Sequence, residues 1–142
     1  MRKPAKILDS GRPLTARRLS KIEEDMGIEL SEEHRKFLLR YNGGKPRPAL
    51  FWVGGESNAY DELDSFYGIG GDFDLPLAYS YTKDLIGTLA VPIGSTGCGD
   101  QLIQFLRGPG AGEIWFLDHE EHGELEFVAK SFPDLLRSFR SK

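Results

Sequence analysis

The stretch Leu30–Gly44, LSEEHRKFLLRYNGG, constrains this chain more than any other segment. Ser31 is placed to cap a helix by accepting a backbone N–H, and Glu32 and Glu33 then fall in the first turn, where orphan N–H groups favour negative charge. Phe37, Leu38 and Tyr41 give the helix one apolar face, and Arg40 lies in the last turn, the favourable end for a cation. Asn42, Gly43 and Gly44 stop the helix because all three tolerate positive φ. A helix with one apolar stripe must bury that stripe, so the rest of the chain has to supply a surface for it.

A second helix precedes it. Leu19, Ile22 and Met26 keep helical spacing from about Thr15, and Gly27 ends the run. The two helices are joined too tightly to belong to different domains. A chain of 142 residues suits one domain with a real core. Before Thr15, Pro4, Gly11 and Pro13 interrupt any periodicity, so residues 1–14 read as a basic, partly flexible leader in which Ile7 and Leu8 are the anchor points, and 15–142 as the domain.

The middle is broken by glycine and proline. Lys45–Pro48 reads as a loop, Leu50–Val53 as a short strand closed by Gly54 and Gly55, and Glu56–Asp64 as an acidic connection with Asn58 and Asp61 at turns. Leu63–Ile69 reads as a strand, Gly70–Asp74 as a turn, and Leu75–Leu85 as a short helix with Pro76 in its first turn. Thereafter the pattern is β: Thr88–Ile93 with Pro92 at an end or edge, a loop at Gly94–Gly99, and Gln101–Leu106, apolar on both faces and hence central. Glu113–Leu117 and Glu126–Ala129 follow, separated by the charged loop Asp118–Glu124. Ser131 caps a last helix with the stripe Phe132, Leu135, Leu136 and Phe139. The expected fold is α+β: a mostly antiparallel sheet flanked by N-terminal and C-terminal helices.

Charge separates the chain into two parts. Residues 1–21 hold seven Lys or Arg and Asp9, a local +6; the other 121 residues hold 11 basic and 21 acidic side chains, a local −10, and the two sum to −4. An acidic body repels nucleic-acid phosphate and steers a basic protein towards itself, although surplus acid also serves simple solubility. The leader lacks aromatics interleaved with its cations, which makes a flexible tail the better reading than a nucleic-acid contact. There is no apolar run of about 18 residues and no apolar segment of a secretory signal. With the single Cys98, these features point to the cytoplasm.

Several constellations invite chemistry and each has a blander reading. Gly94–Asp100, GSTGCGD, lacks the lysine and the following helix of a phosphate loop and reads as a structural turn. Cys98 has no histidine beside it in sequence, so it reads as an ordinary thiol. His119 and His122, in DHEEHGE, are one residue short of the zinc-protease spacing and lie in a loop. No catalytic residue, metal site or cofactor is assigned. Trp52, Tyr60, Phe66, Tyr67, Tyr79 and Tyr81, some of which must be core, have with Glu56, Asp61, Glu62, Asp64, Asp72 and Asp74 the composition of an aromatic surface rimmed by acid, suited to a basic protein partner; Trp52, Tyr60 and Tyr67 are the aromatics assigned to it. Gly97 and Asp100 are assigned to the same surface.

LSEEHRKFLLRYNGG, VPIGSTGCGDQLIQFL, GEIWFLDHE and VAKSFPDLLRSF occur in an order that resembles the SMI1/KNR4 (SUKH) superfamily over roughly Leu19–Phe139. The resemblance implies a protein-binding module, with Asn42, Gly43, Gly44, Gly99, Trp115, Asp118, His119 and Phe132 as structural positions. Many bacterial members are similar to immunity proteins that neutralise a cognate toxin, often a nuclease. The implied mechanism is occlusion of a basic cleft by a monomer or weak dimer, without nucleic acid, membrane or small molecule. A housekeeping adaptor of the same fold and an unrecognised metal-dependent hydrolase are the alternatives.

Overall fold

The computed structural model describes residues 2–54, 59–119 and 124–141. The described residues form four helices, α1 (Ala16–Met26), α2 (Glu32–Tyr41), α3 (Leu75–Ile86) and α4 (Phe132–Ser138), and nine strands. These are β1 (Lys6–Leu8), β2 (Lys45–Arg47), β3 (Leu50–Trp52), β4 (Tyr60–Glu62), β5 (Ser65–Phe66), β6 (Ala90–Ser95), β7 (Gln101–Phe105), β8 (Ile114–Asp118) and β9 (Glu124–Ala129). β5 to β9 form one antiparallel sheet in sequence order, while β1–β2 and β3–β4 are separate antiparallel pairs. This is the α+β fold expected from the sequence, with β7 at the centre of the main sheet. Among the described residues no helix is long and apolar enough to cross a membrane.

Each helix starts where a side chain can satisfy an orphan N–H. Thr15, Ser31, Asp74 and Ser131 accept from the N–H groups of Arg18, His34, Leu77 and Asp134. α1 and α2 end in left-handed residues, Gly27 at φ 75° and Asn42 at φ 51°.

Period-2 alternation divides the sheet. Leu102, Ile114 and Phe116 face the main core with Phe37, Phe66 and Phe132, whose rings meet at centroid distances of 4.7–5.7 Å. Burying a side chain of that size stabilises the fold by about 2–3 kcal/mol. Ile103 and Leu117 point the other way, into a smaller cluster with Ala90, Ile86, Phe105, Trp115 and Leu125. Trp115 is thus a packing residue, edge-on to Phe105 and Phe127.

Several local expectations change. Lys45–Pro48 is not a loop throughout: Lys45–Arg47 is β2, paired with Lys6–Leu8, and Pro46 is tolerated because this two-stranded pair has open edges. Asp61 is not at a turn but in the middle of β4, opposite Phe51. The strand expected over Leu63–Ile69 is confined to Ser65–Phe66, because Gly68 and Ile69 bond instead to Phe73 and Asn42. Pro92 lies within β6, at the register shift between Pro92 and Gly94, where a bulge removes the need for its missing donor. Gly94 and Ser95 complete that strand, so the following loop begins at Thr96.

Candidate functional site

Three local choices of the chain converge at one end of the sheet. The β6–β7 connection is closed by Thr96, whose N–H donates to the Asp100 carbonyl at 3.0 Å, with Gly97 at φ 84° and Gly99 at φ 96° making the turn. A Cβ on Gly99 would stand 3.3 Å from the His119 ring, so the turn closes directly on the end of β8. There the Asp100 carboxylate accepts the His119 N–H at 3.0 Å, and the same oxygen lies 2.6 Å from His119 Nδ1. The contact is satisfied by the Nδ1–H tautomer of His119 donating to the Asp100 carboxylate.

The β3–β4 pair brings a further acid. Asp61 accepts the Glu62 N–H at 2.7 Å. Burial pushes its carboxyl above the ordinary range; the Glu62 N–H opposes that, and the charges of Asp100, Glu62 and Asp118 add to the rise. Asp64 continues the rim: its Cβ would contact a side chain on Gly97 at 3.5 Å, and its carboxylate pairs with Lys45 at 3.3 Å. Asp61, Glu62, Asp64, Gly97, Asp100, Asp118 and His119 therefore share one end of the molecule. Burial is the larger cause of that rise and the neighbouring like charges add to it; an incoming cation would relieve the repulsive part.

Trp52 and Tyr60 are cross-strand partners on the same hairpin, their rings edge-on at 5.5 Å. Tyr60 is half exposed. Alternation puts these two rings on the face opposite Asp61. Tyr67 lies between the core and the acidic end, its hydroxyl donating to Gln101 at 3.0 Å, and burial raises its phenol above the ordinary value.

Other expected members are engaged elsewhere. Asp74 caps α3 and accepts the Gly70 N–H. Asp72 lines a cleft of about 450 Å³ with Arg12, Arg18, Lys45 and backbone around Asn42. Phe66 and Tyr79 are core, and Tyr81 is exposed on α3. Glu56 lies outside the described residues, as does His122, and with it the expected two-histidine pattern.

Ligand atoms of Asp100, Asp118 and His119 all lie within 4.8 Å of one another. The sequence reading missed Asp118 as part of the acidic rim and Arg140 beside Trp52, whose guanidinium carbon lies 5.7 Å from the Trp52 ring centre. An Asp ending a strand is a local signal for the first; no periodicity pairs residue 140 with residue 52.

The sequence pattern of the SMI1 / KNR4 family (SUKH-1) matches residues 13–138. The chain is also 26% identical over 145 aligned positions to the SPbeta prophage-derived uncharacterized protein YokK of Bacillus subtilis (strain 168), covering 87% of this chain and 73% of that one.

Proposed function

Because the chain belongs to the SMI1/KNR4 (SUKH-1) family, we propose that it is a non-catalytic, protein-binding immunity protein that neutralises a cognate toxin in the cytoplasm. The observation that carries the reading is the gathering of Asp61, Asp64, Asp100 and Asp118 around one end of the sheet, with the Asp61 carboxyl pushed up by burial and by its neighbours. Such an array favours an incoming Lys or Arg over solvent sodium when the partner excludes water, and its field speeds the encounter. The exposed Tyr60 ring, next to Asp61 in β4 and on the other face of the hairpin, adds apolar area of the kind that anchors an interface. The partner is a protein with a basic working surface, such as a nuclease, and the mechanism is stoichiometric occlusion of that surface.

Capture tests it. The protein is used as bait on lysates of its own species and of competing strains, at low and moderate salt, with quantitative mass spectrometry. The expected result is one basic domain held at equal stoichiometry, released as salt rises, and toxic when expressed alone. Enrichment of a non-toxic resident protein would replace immunity with an adaptor role.

A further inference from the structure

Arg140 is anchored by its backbone. Its N–H donates to the Leu50 carbonyl at 2.8 Å and its carbonyl accepts the Leu50 N–H at 3.1 Å, fixing the side chain beside β3. Its guanidinium lies over Trp52, and its Nε is buried without a hydrogen-bond partner among the described residues. A buried donor left unsatisfied costs about 1–3 kcal/mol. Leu50, Phe51, Trp52, Tyr60, Arg140 and Ser141 line a slot of about 190 Å³ at this place. That is smaller than the roughly 300–1,000 Å³ of sites that enclose whole small molecules. It is the size of one side chain.

We propose that this slot, at Trp52, Tyr60 and Arg140, receives a carboxylate side chain of the protein partner. The walls are apolar and aromatic, so the occupant has an apolar stem. Arg140 is the one cation in this lining, so the tip is an anion, and a planar guanidinium fits a carboxylate through two parallel hydrogen bonds. The Trp52 ring, 5.7 Å from the guanidinium carbon, attracts the cation and helps to keep it at the slot. The slot is opposite in sign to the acidic rim carried by Asp61 on the other face of the same hairpin. A partner that presents a carboxylate here and cations there is fixed in register, and one with cations alone is not. The proposal rests on the reading of the chain as a protein-binding module.

The test uses the full-length ¹⁵N-labelled protein and N-acetyl-glutamate methylamide, with N-acetyl-glutamine methylamide and inorganic phosphate as comparisons at matched ionic strength. The glutamate analogue is expected to shift the Arg140 Nε–H and Trp52 indole N–H resonances saturably, leaving Trp115 in place. Arg140→Gln and Arg140→Lys should each weaken this by about tenfold or more, since neither keeps the fork. Arg137→Gln should leave it unchanged. Equal shifts from the glutamine analogue or from phosphate, or retained Trp52 shifts in Arg140→Gln, would overturn the assignment. Because the probe is a small acid, failure here leaves the immunity reading untouched, and failure to capture a toxin leaves the slot untouched.

Discussion

Asn42 clasps Ile69 with both atoms of its side-chain amide: Nδ2 donates to the Ile69 carbonyl at 3.1 Å and Oδ1 accepts the Ile69 N–H at 2.7 Å. The same Nδ2 donates to the Arg12 carbonyl at 2.9 Å. One buried side chain therefore ties the end of α2 to the segment before α1 and to the segment after β5. The crossing is so close that a Cβ on Gly11 or Gly68 would stand 2.3 or 2.2 Å from the Asn42 carbonyl oxygen.

That contact is with backbone, which cannot swing aside. Gly68→Ala and Asn42→Ala are each expected to cost about 2–4 kcal/mol, the range for lost buried hydrogen bonds and forced backbone shifts. Gly71→Ala, with open space around its Cβ position, should stay within about 0.5 kcal/mol. Urea midpoints compare the three directly; coincident midpoints for Gly68→Ala and Gly71→Ala would contradict the crossing.

His34 makes stability depend on pH. The residue is 2% exposed, its ring stacks on Phe132 at 5.3 Å, Nδ1 has no hydrogen-bond partner among the described residues, and burial lowers its pKa to about 3. Free histidine titrates near 6.5. The stability that neutral His34 contributes is complete above that value. It is lost progressively as pH falls towards about 3, by up to about 1.4 kcal/mol per unit, because the unfolded chain takes the proton first. His34→Phe should flatten the slope of unfolding free energy between pH 6 and roughly 4. An unchanged slope would show that other groups set it.

Asp61 runs in the opposite sense. Its folded pKa is raised, so its favourable contribution is present below the unfolded value near 3.9 and is lost as pH rises through the folded one. At neutral pH its charge works against the fold. Asp61→Asn, which can still accept the Glu62 N–H, should raise the thermal midpoint at pH 7, show little gain near pH 3, and weaken binding of a basic partner at low salt. A variant that loses stability at pH 7 would contradict this account of the acidic rim.

Glu23 joins α1 to the start of α2. It is buried, accepts the Leu30 N–H at 2.8 Å and pairs with Arg35. Glu23→Ala leaves the Leu30 N–H without its acceptor and removes the ion-pair partner of Arg35, and should cost about 2–4 kcal/mol. Glu23→Gln keeps an acceptor for Leu30 and should cost less; the reverse order in chemical denaturation would place the value of this residue in packing alone.

The helices were legible because their signals are local. Ser31, Ser131 and the Asn42-Gly43-Gly44 stop each act within a few residues of the backbone groups they satisfy. β7 was legible for a different reason, since only a strand covered on both sides can be apolar on both faces. β1, β2 and β4 were not: Pro46 and the charged Tyr60-Asp61-Glu62 carry no strand signal of their own and are held by pairing with distant partners. The acidic rim was legible in composition but not in membership. Asp74 left it to cap a helix, and Asp118 joined it because β8 ends beside the β6–β7 turn. Arg140 beside Trp52 depends on a single bridge to Leu50 and had no precursor in the pattern.

The most direct measurement is a titration of the captured toxin domain with this protein, following the toxin's own activity. The account predicts linear loss of activity to an endpoint at one equivalent, with Asp61→Asn moving the curve to weaker binding as salt rises. Full toxin activity in the presence of a saturating excess would contradict occlusion outright.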